Sequence, residues 1–546
     1  MLPDRATPIT TYLANLTDSD FARQSCSLFK KADAVQQHLL MQILSYAKDC
    51  SFGQEHGFAN IKGIDDFRKH VPILSWKDFE PYVEQLVEGA KDVLFPGKAT
   101  FFTLTSGTSG KEKLIPESAM SSVARRLILR YRMMYLMKYL PGFMNGKFVP
   151  LANAPTFSKT ASGIPYGTAS GLTLGQSGLS RLAAYPMSLL LNSDCFSADY
   201  LLMRFAIEQE DVLLVTGNNA ARMTGLIRLA EEHKEEIIHD IETGTLRETL
   251  QLEPEVRMEV AERLKPNPER AAALRALLAK GLPFTPAAYW PKMQIAMFWL
   301  SSSVGHYVDE LRPFFTPAVR FMDAGYGASE AKFNIPMAPE EKSGALSVAT
   351  AFYEFVPIEG GEPLLAHQLE TGKEYELVVT TWAGLYRYNI KDIIRVDGFV
   401  GNTPKIVFVR KSNEMLNVAG EKMSATWVND CVRDYLQDQG IAVRQVQIYP
   451  DPVGHRYVCY IEAMEGSLSL QPEWEEGVNA LMVERNHFYG LFVYEQKLMH
   501  PMVLVPMKKG WQESLYAGKL KKGITKSQLK LPLLILEPAD ERWKVV

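Results

Sequence analysis

The stretch TLTSGTSGKEKLIP, residues 103–116, sets the hydroxyls of Thr105, Ser106, Thr108 and Ser109 around Gly107 and Gly110, then adds Lys111 and Lys113. Glycines let a backbone curl around an anion, and hydroxyls and ammonium groups donate to it. Phosphate is the chemistry such a loop suits. Walker A spacing is excluded, because Gly107 and Gly110 bracket only Thr108 and Ser109 and Glu112 follows Lys111. The hydroxyl that would hold Mg²⁺ in that motif is missing. A phosphate-holding loop and a plain polar turn both remain open.

Two further stretches carry candidate chemistry. In DAGYGASE (323–330), Tyr326 stands between Gly325 and Gly327, with Ser329 and Glu330 following. A tyrosine flanked by glycines can show a ring face to a planar base, and a carboxylate past the turn can hold a divalent cation. The plain alternative is a tight turn with an exposed acid. In GLYRYNIKDIIRVDGF (384–399), Asp392 separates a basic, aromatic half from an apolar one. A carboxylate at a strand end can accept from both hydroxyls of a ribose, or can simply pair with Arg387 or Arg395.

The surrounding elements must position these groups. The apolar TFFTL (100–104) reads as a strand before the loop, and the pattern from Ser121 to Leu140 as a helix after it. Strand, loop and helix start together suit an anion. DVLLVTG (211–217), MQIAMFWLSSS (293–303) and VRFMDAGYGASE (319–330) read as buried strands emptying into small-residue loops, with a charged amphipathic helix expected over Leu226–Ile241. This alternation predicts an α/β large domain. Beyond KIVFVRKSNEM (405–415) the pattern becomes helix (426–438), strands (443–449 and 456–463) and helix (474–486), a small α+β unit. The expected domains are 1–411 and 412–546.

A chain of 546 residues exceeds one simple core, and its formal charge of -4 supplies no basic field for nucleic acid. Five scattered cysteines form no CxxC pair, which fits reduced thiols in a cytoplasmic compartment. No run approaches the roughly 18 apolar residues of a membrane span. YRMMYLMKYL (131–140) comes nearest, and Arg132 and Lys138 interrupt it. No HExxH or paired metal spacing occurs among the histidines.

The order of the three motifs, with a lysine near the C-terminus, resembles the adenylate-forming superfamily, and more narrowly the GH3 family of acyl acid amido synthetases. Residues 51–116, YEFVPI (353–358), GKEYELVVTTWAGLYRY (372–388) and GEKMSATWV (420–428) follow the GH3 pattern over nearly the full length. The resemblance implies a large multi-sheet adenylating domain with a smaller, mobile C-terminal cap. It implies two steps: a carboxylic acid attacks the α-phosphorus of ATP, and an amino acid's amine then displaces AMP. ATP and Mg²⁺ are the implied cofactors, and a small acid and an amino acid the implied partners, with no nucleic acid, no membrane and a monomer expected.

Carried over by position, Thr105, Ser106 and Thr108 would hold phosphates, with Lys111 or Lys113 adding charge. Gly325, Tyr326 and Gly327 would line the adenine side, Ser329 a phosphate and Glu330 the Mg²⁺. Asp392 would take the ribose and Lys422 would sit near the nucleotide. Lys530, in KSQLKLP, would neutralise the α-phosphate. The acyl pocket would begin at 158–172, with Tyr166, Gly167 and Leu172 meeting the acid. The helix 121–140 would add a wall, although most of its residues read as ordinary packing. His306 is a minor candidate beside the family's active-site segment.

Departures from the family pattern are visible. The loop is about one residue shorter than the plant form, as in bacterial members. Lys391 stands where the family has Gly before the aspartate, Asn389 replaces an Arg, and KLPLLIL replaces KTPR. Those changes keep two rivals in view: an acyl-CoA ligase, and a nucleotide-binding interaction protein without catalysis.

Overall fold

An apolar run without polar alternation needs cover on both faces, and VLLVTG finds it at the middle of a parallel sheet. In the computed structural model, Val212–Gly217 lies between Lys147–Leu151 and Ile295–Phe298, and Arg320–Asp323 completes the order. Every pairing in this sheet is parallel. Helices Cys195–Glu208 and Ala220–Glu232 cover it, burying Tyr200, Phe205, Met223 and Ile227 with Trp290 and Phe298.

The structure describes residues 7–105, 113–154, 156–301, 306–412, 415–419, 421, 423–464, 470–520 and 533–545. Two compact units divide the chain. The first comprises Met1–Thr105 and Leu114–Arg410, and the second is built on Lys411–Val546.

Besides the parallel sheet, the first unit holds a six-stranded sheet. Its order is Ala351–Pro357, Glu374–Thr381, Tyr388–Val400, Thr403–Lys411, Gly344–Leu346 and Asn334–Pro336. Glu374–Thr381 pairs antiparallel with both of its neighbours. The helix Ala32–Ala47 packs on it, and its buried Gln36 donates to the carbonyls of Val348 and Ala351 while accepting from Tyr353 N–H. A smaller sheet joins Lys113–Glu117, Phe101–Thr105, Pro165–Gly167 and Ser158–Lys159.

The helix expected from Ser121 starts two residues earlier, as Ala119–Tyr139. Ser118 is the reason. Its side chain accepts from Ser121 N–H as an N-cap and donates to the Trp382 carbonyl. The single helix expected over 226–241 is two, Ala220–Glu232 and Lys234–Thr243. His233 leaves helical geometry (φ -107°, ψ 23°), and its carbonyl accepts from Ile237 N–H to start the second helix.

The second unit is α+β. Val443–Asp451 pairs antiparallel with Arg456–Ala463, which pairs parallel with Val503–Pro506. Helices Ala425–Asp438 and Pro472–Arg485 pack against each other. Buried Glu462 accepts from Gly510 and Gln512 N–H groups at the start of the helix Trp511–Leu520.

Just after the loop that opened the sequence, Glu117 and Arg125 form an ion pair with both side chains buried. Ser121 Oγ donates to the same carboxylate, and Thr173 Oγ1 accepts from Arg125 Nη1 at 3.3 Å. Removing one partner strands the other charge away from water, a loss on the order of 3–5 kcal/mol. Arg125→Met should lower stability by that order in urea unfolding, and the double change with Glu117→Leu should recover most of it.

Candidate active site

Parallel strands gather ligands at their C-terminal ends, and here two of those ends are Gly217 and Asp323. Arg320–Asp323 empties into the turn Ala324–Lys332. Asp323 is buried; its oxygens accept from Leu300 N–H (2.9 Å) and Gly325 N–H (2.6 Å). Gly325 takes φ +86°, which glycine tolerates and other residues seldom do. At the far end of the turn, Gly327 bridges Lys332 and Ala328 N–H reaches the Ala331 carbonyl.

Tyr326 sits at the crest. Its ring lies against Phe333 and Phe408, with centroids 4.9 and 5.4 Å away. Its N–H donates to buried Asn334 Oδ1 at 2.7 Å, and Asn334 Nδ2 donates to the Ile406 carbonyl. The Tyr326 hydroxyl donates to Asp392 Oδ2 at 2.6 Å. Two motifs far apart in sequence thus meet in one buried contact. Burial, then the Asp392 charge, holds the Tyr326 hydroxyl well above the usual phenol range, so it stays a donor. Glu330 is half-buried beside Tyr388, whose hydroxyl burial and the charges of Glu330 and Asp392 also push up. Ser329 is half-buried next to it.

Asp392 is positioned by unusual backbone. Arg387 (φ +46°) and Lys391 (φ +61°) both lie in the left-handed region. Arg387 is held by two hydrogen bonds to buried Glu354 (2.8 and 3.1 Å), which Arg68 also contacts at 2.8 Å. Lys391 N–H donates to Asn389 Oδ1 at 2.9 Å, and Asn389 Nδ2 donates to Glu376. The Lys391 ammonium reaches the same Glu376 at 3.4 Å.

A cavity of about 180 Å³ opens at the C-terminal ends of the parallel strands, bordered by Pro150, Leu151, Thr216, Gly217, Met297 and Ala324. The long helix adds Leu129, Arg132, Met133 and Leu136, and the helix Ala169–Gln176 adds Ser170, Thr173 and Leu174. The walls expected from Tyr166, Gly167 and Leu172 are not among its lining residues. Tyr166 and Gly167 instead pair with Phe102 and Thr103, and Leu172 is half-buried in the helix.

The turn and strand thus bring together Gly325, Tyr326, Gly327, Ser329, Glu330 and Asp392. Lys113 opens its strand with a buried side chain, and Thr105 ends the strand before the loop. Ser106, Thr108, Lys111, Lys422 and Lys530 lie outside the described residues. His306 begins the short helix His306–Leu311. Sequence reasoning missed Asp323, Asn334, Arg132 and Lys332. Signals existed for two of them, a polar residue ending an apolar strand and an Asn within KFNIP, and none for the two cations.

The GH3 family N-terminal domain matches residues 23–320, and the GH3 family central domain residues 344–411. The chain belongs to the GH3 family. Indole-3-acetic acid-amido synthetase GH3.5 of Arabidopsis thaliana is 25% identical to this GH3 chain over 546 aligned residues, covering 92% of the chain and 89% of the relative. Indole-3-acetic acid-amido synthetase GH3.8 of Oryza sativa subsp. indica is 26% identical over 550, covering 93% and 89%. The structure resembles that of AtGH3.15 acyl acid amido synthetase in complex with 2,4-DB, with TM-score 0.66, 22% identity and coverage of 99% and 96%. It also resembles a 2-hydroxyisobutyryl-CoA ligase, with TM-score 0.50, 14% identity and coverage of 87% and 86%. At those identities the likeness to both structures is one of fold.

Two measurements test the geometry. A lysine in the left-handed region costs on the order of 1 kcal/mol. Lys391→Gly should therefore raise stability by up to about 1 kcal/mol in urea unfolding, whereas Lys391→Val should lower it by more than that. Burial pushes the Asp323 carboxyl up to about 6, against the Leu300 and Gly325 N–H groups and the Arg132 charge. The folded protein therefore holds this proton more tightly than the unfolded chain. That stabilisation is complete below about pH 4 and fades by on the order of 3 kcal/mol as pH rises through 6. Unfolding free energies of the parent between pH 4 and 7 should carry this downward component, and Asp323→Asn should remove it.

Proposed function

We propose that the chain is an ATP-dependent acyl acid–amido synthetase, which activates a carboxylic acid as an acyl-adenylate and transfers the acyl group to an amino acid's amine. Membership of the GH3 family supports the reaction class. The observation that carries the site is the buried contact of Tyr326 with Asp392, which unites the glycine turn and the aspartate strand at the open end of a parallel sheet.

In this reading the first step sets a carboxylate against a polyphosphate, so positioning and charge neutralisation dominate. Asp392 accepts from the ribose hydroxyls while Tyr326 holds its other side, and the Gly325–Gly327 backbone gives the base a close approach. Ser329 and the loop residues Thr105, Ser106, Thr108, Lys111 and Lys113 hold phosphates. Lys422 lies near the nucleotide and Lys530 neutralises the α-phosphate. Tyr166, Gly167 and Leu172 belong to the acyl side.

Mg²⁺ prefers phosphate oxygens and water with one or two carboxylates. Glu330 suits that role, because it stands as a half-buried carboxylate and no three metal-ligating side chains cluster among the described residues. The ion would offset phosphate charge.

The domain boundary at 411/412, a mobile cap turning about residues 410–414 between the two steps, and a cytoplasmic monomer complete the proposal. The short loop supports a bacterial-type member. Among the described residues no helix is long and apolar enough to cross a membrane.

Acid-dependent ATP–pyrophosphate exchange with Mg²⁺ across an acid panel tests the first step, and products formed with amino acids or with CoA test the second. The expected result is exchange with at least one acid and an amide product. Asp392→Ala and Lys530→Ala should each lower exchange at least 100-fold. Thioester without amide would replace this reading with acyl-CoA ligation, and ATP binding without turnover would favour an interaction protein.

A further inference from the structure

The cavity at the ends of the parallel strands is mostly apolar, with Met133, Leu136, Phe148, Leu174, Leu214 and Met297 in its walls and the neutral polar side chains of Ser170, Thr173, Ser177, Thr216 and Asn218 among them. Its volume of about 180 Å³ is slightly above the roughly 150 Å³ of an engineered apolar cavity that takes benzene. A single ring or a short branched chain fills such a space.

One part of the lining is different in kind, because Arg132 and Lys332 both belong to it. The glycines of the turn admit them. A Cβ on Gly325 would lie 2.1 Å from Arg132 Nη2, and one on Gly327 would lie 2.4 Å from Lys332 Cδ. Each cationic side chain therefore crosses one glycine of the same turn. Arg132 Nε is buried without a hydrogen-bond partner among the described residues. Asp323, whose charge partly offsets it, gives both oxygens to backbone N–H groups. Lys332 also lines a small neighbouring space of about 30 Å³ shared with Glu330 and Arg125.

We propose that Lys332 is a specificity-determining residue that, with Arg132, gives the acyl cavity a two-cation end and restricts it to single-ring or short branched monocarboxylates. This rests on the amido-synthetase reading. A carboxylate offers one oxygen to each cation, and such charge-assisted hydrogen bonds are about twice as strong as neutral ones. A neutral isostere leaves one cation facing an N–H donor. When a carboxylate oxygen bonds to the α-phosphorus and pyrophosphate leaves with the displaced electron pair, the carboxylate charge disappears. The attraction of Lys332 is therefore stronger before the transition state than within it, so its loss raises KM and leaves kcat equal or higher.

The test binds phenylacetate and its neutral isostere phenylacetamide to the full chain by calorimetry, beside phenylacetate-dependent ATP–pyrophosphate exchange. The parent should prefer phenylacetate at least tenfold. Lys332→Met should abolish that preference and raise KM for phenylacetate tenfold or more, with kcat equal to the parent's or higher and KM for ATP unchanged. Lys332→Gln should behave alike, and Lys332→Arg should retain the preference. An undiminished preference in Lys332→Met and Lys332→Gln, or no preference in the parent, overturns the inference. Preference for phenylacetate without exchange for any acid would leave the role of Lys332 standing and sink the amido-synthetase reading. Exchange with an unchanged KM in Lys332→Met would do the reverse.

Discussion

The hydrogen bond from Tyr326 to Asp392 is the contact on which the candidate site depends, because it ties two architectures together. Tyr326 comes from the loop that closes a parallel sheet, and Asp392 from the middle of an antiparallel one. Neither sheet alone would bring the glycine turn and the aspartate together. Burial makes the contact strict. A phenol and a carboxylate away from water each lose solvation, and their short bond, with Asn334 fixing the Tyr326 backbone, returns part of that loss.

The same low dielectric explains why the unit contains so many paired charges near the site. Glu354 lies between Arg68 and Arg387, Glu117 meets Arg125, and Asp323 takes two backbone donors. None is a strong source of net stability, since desolvation offsets the Coulomb attraction. Their value is geometric. Glu354 keeps Arg387 in a left-handed conformation that a lone arginine would avoid, and that bend sets the approach of the strand carrying Asp392.

Much of the fold was legible because the relevant segments follow one period. VLLVTG and the strands near 295 and 320 are apolar runs of strand length, and the helix after Ser118 repeats its apolar positions at helical spacing. The split at His233 was not legible, since both helices carry the same charged amphipathic pattern and only backbone geometry separates them. Within the site, Gly325, Tyr326 and Asp392 stood out by residue type. Arg132 did not, because one cation in a helix rich in Met and Leu looks the same whether it faces solvent or a cavity. The short strand holding Tyr166 and Gly167, paired with Phe102 and Thr103, was not legible either, because a glycine-rich stretch carries no strand period.

Lys391 shows how a departure from a motif can leave its geometry intact. Where the family has glycine, the chain needs a left-handed residue, and lysine is a poor choice for that region by sterics alone. The neighbouring change to Asn389 answers it. Its side-chain carbonyl accepts from Lys391 N–H while its amide donates to Glu376, whose carboxylate also meets the Lys391 ammonium. Three polar side chains thus do together what the absence of a Cβ would do alone. Two substitutions that look like erosion of the site when read singly form one closed set of contacts when read together. Asp392 remains buried and in contact with Tyr326, so the departures at 389 and 391 leave that contact in place.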